Sequence, residues 1–133
     1  MCGGIFNIIT MTLNNSTLSG NSAYTGGAIY NDEGTLPLTN STLSGNSARY
    51  HGGGIYNGTN ATLTLTDSTV ADNVSVNQPA GGIYGFFGST INVTRSTVSG
   101  NVAEDVGGGM RLLGNATITN STISGNTSTA WHG

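Results

Sequence analysis

At 133 residues the chain has room for one domain, and 35% hydrophobic residues is lean for an ordinary globular core. Charged residues make up 7%, with no lysine and three arginines against six carboxylates. That balance excludes a nucleic-acid partner, an anionic membrane surface and disorder driven by charge repulsion.

One block of sequence then recurs along the chain. It opens on a glycine run before an aliphatic residue, Cys2-Gly3-Gly4-Ile5-Phe6-Asn7, passes Met11 and Leu13, and reaches Ser16-Thr17-Leu18-Ser19-Gly20-Asn21. The second block reads Gly26-Gly27-Ala28-Ile29-Tyr30-Asn31, then Leu36 and Leu38, then Ser41-Thr42-Leu43-Ser44-Gly45-Asn46. The third has Gly52-Gly53-Gly54-Ile55-Tyr56-Asn57, Leu63 and Leu65, and Ser68-Thr69-Val70-Ala71-Asp72-Asn73. The fourth has Gly81-Gly82-Ile83-Tyr84, Ile91 and Val93, and Ser96-Thr97-Val98-Ser99-Gly100-Asn101. The fifth has Gly107-Gly108-Gly109-Met110, Ala116 and Ile118, and Ser121-Thr122-Ile123-Ser124-Gly125-Asn126. Successive closing asparagines lie 25, 27, 28 and 25 residues apart, the spacing of a tandem array.

Within each block apolar and polar residues alternate, as in Thr62-Leu63-Thr64-Leu65-Thr66, and no helical period appears. Strands repeated residue for residue stack in parallel at about 4.8 Å. The expected fold is all-β: a right-handed, single-stranded parallel β-helix of about five coils of 25–28 residues. Its coils begin near residues 2, 26, 52, 81 and 107 of a single domain over 1–133. Two inward columns follow: Ile5, Ile29, Ile55, Ile83, Met110, and Leu18, Leu43, Val70, Val98, Ile123.

The recurring polar residues read as structure. Asn21, Asn46, Asn73, Asn101 and Asn126 share one corner, where an asparagine tolerates left-handed backbone, and stacked they form an amide ladder. The glycine runs read as tight corners. They lack the Lys-Ser/Thr of a phosphate loop, the following helix of a dinucleotide fingerprint and the aspartates of a calcium nonapeptide, so no cofactor is expected. A lone Cys2 forms neither an internal disulfide nor, by itself, a metal cage. No stretch has the apolar length for membrane insertion, and Met1 leads into the repeat without a signal peptide.

Gly26-Gly27-Ala28-Ile29, with an aliphatic-x-x-Asn unit elsewhere in the repeat, resembles the paired repeats of the polymorphic outer-membrane autotransporter passengers. It is also similar to the pectate-lyase-like β-helices of bacterial surfaces. The chain departs from the first family in placing Leu18, Leu43, Val70, Val98 or Ile123 where that family has an aromatic before x-x-Asn. The resemblance implies an extracellular or cell-surface stalk, adhesive or structural, with surface glycans or host receptors as partners. It supplies no catalytic residue.

The residues themselves argue against an enzyme. Asp32, Glu33, Asp67, Asp72, Glu104 and Asp105 share no column, and Asp67 is placed to pair with Arg95 of the next coil. His51 and His132 occupy equivalent positions three coils apart, roughly 14 Å, too far for one metal, and read as solvated corner residues. A fragment of a polysaccharide lyase or hydrolase is the weaker alternative.

The outward positions of the central strand offer an ice-binding alternative. They are Thr10, Thr35, Thr62, Thr90 and Asn115; Thr12, Pro37, Thr64, Asn92 and Thr117; and Asn14, Thr39, Thr66, Thr94 and Thr119. Threonine fills 11 of the 15, an array that resembles ice-binding faces, although threonine also suits any exposed strand. No cap residues are evident at either end, which suggests that the chain itself is the partner, stacking end to end into fibres, or that it is part of a longer repeat protein. Asn-x-Ser/Thr sequons stand at Asn15, Asn40, Asn57, Asn60, Asn92, Asn115 and Asn120. The functional expectation is a secreted or surface-exposed, adhesin-like and non-catalytic β-helix.

Overall fold

The computed structural model describes residues 3–129. It is all-β, a solenoid whose strands form four parallel sheets, each taking one strand from each of five coils. The first sheet holds Ile5–Asn7, Ile29–Asn31, Ile55–Asn57, Ile83–Gly85 and Met110–Leu112, the strands that follow the glycine runs. The second holds Leu13–Asn14, Thr35–Thr39, Thr62–Thr66, Thr90–Thr94 and Asn115–Thr119. The third holds the Ser-Thr motifs: Thr17–Ser19, Thr42–Ser44, Thr69–Ala71, Thr97–Ser99 and Thr122–Ser124. A fourth sheet of two-residue strands runs through Ser22–Ala23, Ser47–Ala48, Val74–Ser75, Val102–Ala103 and Thr127–Ser128. Two residues are too short to display an alternation, so only the stacking reveals this sheet.

Register is one to one. Leu63 pairs with Leu36 and Ile91, Val70 with Leu43 and Val98, and Ile55 with Ile29 and Ile83. These columns meet inside as one aliphatic core, and its central side chains are completely buried. Every phenylalanine and tyrosine lies outside that cluster. The lean apolar content therefore suffices: each coil fills its share of a narrow interior with a few branched side chains, and the next coil covers it.

The corners explain the rest of the motif. Left-handed backbone recurs at Asn15, Asn40, Asp67, Arg95 and Asn120, with φ between 47° and 50°. It recurs again at Gly20, Gly45, Asp72, Gly100 and Gly125. The expected left-handed geometry at Asn21 and its equivalents is therefore displaced by one residue, onto the position just before each ladder asparagine. A glycine there, or Asp72 in the third coil, takes the left-handed turn, which leaves the asparagine side chain free to point inward. At the glycine runs, a Cβ on Gly53 would collide with the carbonyl oxygens of Val74 and Gly81, so a residue without a side chain is required between coils.

Candidate functional site

Three inward polar columns hold the coils in register. Along the first, the backbone N–H and Nδ2 of Asn21 both donate to Asn46 Oδ1 at 3.0 Å. The same pair of bonds links Asn46 to Asn73, Asn73 to Asn101 and Asn101 to Asn126. The second amide proton goes to a strand carbonyl, as from Asn73 to Leu43 at 3.1 Å and from Asn101 to Val70 at 3.0 Å. Both amide protons and the acceptor of a central rung are thus used, which is what permits a primary amide to be buried. The serine of each Ser-Thr motif does similar work. Its Oγ accepts the backbone N–H of the preceding coil's serine, as Ser68 accepts from Ser41 at 3.1 Å.

A second asparagine ladder lies behind the first sheet. Asn7 Nδ2 donates to Asn31 Oδ1 at 2.8 Å, and Asn31 Nδ2 to Asn57 Oδ1 at 2.7 Å. Asn57 closes the run by donating to the carbonyls of Ala61 and Thr90, and the next two coils have Gly85 and Leu112 at this position. Asn57 is 0% exposed, so its sequon is closed to glycosylation, a correction to the expectation from sequence. The signal was the repeated Ile-Tyr-Asn, whose final residue is inward by the period of two. Of the other sequon asparagines, Asn15, Asn40, Asn60, Asn115 and Asn120 are exposed and Asn92 is half-buried within its strand.

Outside, the second sheet presents the threonine array. Thr62 aligns with Thr35 and Thr90, Thr64 with Pro37 and Asn92, and Thr66 with Thr39 and Thr94. Thr117 and Thr119 continue the last two columns, and Asn115 the first. The array frays in the first coil, where Thr10 makes an isolated bridge to Thr35 and Thr12 lies outside any strand.

The outer face of the first sheet differs. Phe6, Tyr30, Tyr56 and Tyr84 stack along the axis at centroid separations of 5.3, 4.5 and 5.5 Å. Phe86 flanks Tyr56 and Tyr84, and Phe87 packs edge-on against Phe86 at 5.3 Å. Burial raises the pKa of Tyr30, Tyr56 and Tyr84, and the negative charge of Asp32 adds to it at Tyr30 and Tyr56. His51 joins this stack, its ring 4.7 Å from that of Tyr84, and is half-buried rather than the solvated corner residue its sequence position suggests. Burial and the nearby Arg111 charge push its pKa below the ordinary histidine range, with Asp105 partly opposing them. His132 and Cys2 lie outside the described residues.

The corner beside His51 carries a separate group. Tyr24 and Tyr50 stack with centroids 6.0 Å apart and planes 23° from parallel. Arg49 Cζ sits 5.7 and 5.9 Å from the two centroids. The other arginines face carboxylates: Arg95 makes a bidentate pair with Asp67 at 2.8 and 2.9 Å, as its register predicts, and Arg111 approaches Asp105 at 4.0 Å. That pairing holds the Asp67 carboxyl below its usual range, and Arg95 above its own. Among the described residues, no group of three His, Cys, Asp or Glu is placed to hold a metal ion.

Comparison with known proteins returns one family and no individual relative. No curated protein and no solved structure matches the chain. Two segments, 15–32 and 40–58, match a family model, and each runs from a left-handed corner through the Ser-Thr strand to the strand after the glycine run. They contain the ladder residues Asn21, Asn31, Asn46 and Asn57, the chemistry that locks one coil to the next. These coils are therefore similar to the Chlamydia polymorphic membrane protein repeat, and the chain is a β-solenoid bearing polymorphic-membrane-protein-like repeats.

Proposed function

We propose that this solenoid is a structural, adhesin-like module exposed at a bacterial cell surface or outer membrane, and that it is non-catalytic. The observation that carries the reading is the coincidence of the family match with the inter-coil ladder residues. What the match has in common with this chain is the means of building a rod. The six carboxylates add support, since two are paired with arginines and the set is spread over several coils. Protease shaving of intact source cells tests the location. Release of peptides from the Thr62–Thr66 region before lysis is expected, and complete protection until lysis would remove the surface assignment.

The ladder also suits extension. Each asparagine donates to the coil after it and accepts from the coil before it, so further rungs add without new chemistry, whether from a continuing chain or a second copy. End-to-end association of copies predicts a mass by sedimentation that rises with concentration and falls when Ile123→Lys places a charge at the fifth-coil end of an inward column. A single monomeric species at all concentrations would end the fibre proposal and leave the surface role intact.

Ice binding is a second reading, favoured by the one-to-one alignment of the threonine columns over Thr35–Thr39, Thr62–Thr66 and Thr90–Thr94. It predicts thermal hysteresis that Thr64→Tyr abolishes. No hysteresis, or hysteresis that survives the substitution, would discard it.

A further inference from the structure

We propose that Tyr24, Arg49 and Tyr50 form a subsite for an acidic sugar, a pyranose carrying a carboxylate. The proposal rests on the adhesin-like reading and names the ligand class for it. Of the three arginines, Arg49 has no carboxylate partner among the described residues. The tyrosine rings instead hold its guanidinium, at centroid distances within the range of cation–π attraction. A guanidinium laid against ring faces keeps its N–H edges free, and those edges fit a carboxylate in bidentate fashion.

The tyrosines supply the other half of the recognition. Tyr24 is 55% exposed and Tyr50 38%, far more than Tyr84 at 4% in the aromatic column nearby. An exposed phenol ring offers an apolar face with a polar tip. A pyranose has the same amphipathic character, with a C–H face for the ring and hydroxyls for the rim. An acidic peptide fits less well, because the backbone here is already committed between coils. Arg49 N–H donates to the Ala23 carbonyl, Tyr50 N–H to that of Tyr24, and Asn77 N–H to that of Arg49. A peptide strand would find no free edge to extend.

The test uses the full chain labelled with 15N and titrated with trigalacturonate, its methyl ester and a tetraglutamate peptide. Trigalacturonate is expected to bind weakly, with a dissociation constant on the order of 1 mM, and to shift amide resonances around Tyr24, Arg49 and Tyr50. The methyl ester keeps the ring faces and loses the charge, so its affinity should fall about tenfold, as should that of Arg49→Gln for the acid. Tyr24→Ala should weaken acid and ester alike. Equal binding of acid and ester, shifts confined to another face, no shifts at all, or tetraglutamate binding as well as the sugar would each overturn the proposal. Because these titrations use purified protein, a negative result is separable from failure of the surface assignment, which the shaving experiment reads.

Discussion

The outer faces of the first and second sheets share the same coils and spacing, yet they hold those coils together differently. Behind the threonine array the strands are five residues long from the second coil onward, so the backbone ladder and the leucine, isoleucine and valine columns do most of the joining. The first sheet has three-residue strands, with fewer backbone bonds per coil. There the side chains on both sides compensate: the Asn7–Asn31–Asn57 amides inside and the Phe6–Tyr30–Tyr56–Tyr84 stack outside. An outward position is therefore a free surface on one sheet and a structural joint on the other.

The largest test of that contrast is Asn57→Ala. It removes one acceptor of Asn31, which keeps the carbonyls of Gly34 and Thr62, and takes the side-chain donor from the carbonyls of Ala61 and Thr90, all in the interior. Three lost buried hydrogen bonds at about 1 kcal/mol each cost about 3 kcal/mol, which urea denaturation would register as a lower midpoint at unchanged slope. Next comes Tyr56→Ala, expected to cost about 2 kcal/mol because it removes the middle of the aromatic column, whereas Tyr56→Phe keeps the rings and should stay within about 0.5 kcal/mol of the parent. Equal effects of the two would show that the hydroxyl, not the stacking, joins the coils.

His51 gives a pH-dependent test of the same face. Its pKa in the folded chain is lowered by burial and by Arg111, so the unfolded chain binds a proton more readily. Its contribution to stability is thus fully present above the ordinary histidine pKa and is lost as the pH falls toward the folded value. Melting temperatures measured across that window should drop on acidification, with a shallower drop in His51→Gln; identical slopes would remove the histidine from the account. The smallest effect is expected at Thr64→Ala, at most about 0.5 kcal/mol, since Thr64 is an outward residue with no side-chain bond in the ladders. A cost matching Tyr56→Ala would erase the distinction between the two faces.

Much of the scaffold was legible in advance. The coil period, the inward aliphatic columns, the five-rung asparagine ladder and the Asp67–Arg95 pair all follow from alignment of the repeats, because in a parallel stack sequence position translates directly into spatial register. The second ladder carries a signal in Ile-Tyr-Asn but runs through only three coils, and Asn57 also matches a sequon, a surface motif that conflicts with its inward position. The burial of His51 is not visible in its own stretch of sequence, because its neighbours in space, Tyr84 and Arg111, belong to later coils.

By itself, then, the sequence determined the repeat: what pairs with what along the axis, and which residues turn inward. The tertiary structure alone decided what happens around the circumference, where the lengths and turns of the corners set which outward groups meet. Hydrogen bonds between coils obey a period visible in the chain, while the meeting of Arg49 with two tyrosines, or of His51 with the aromatic column, depends on how each corner folds in space.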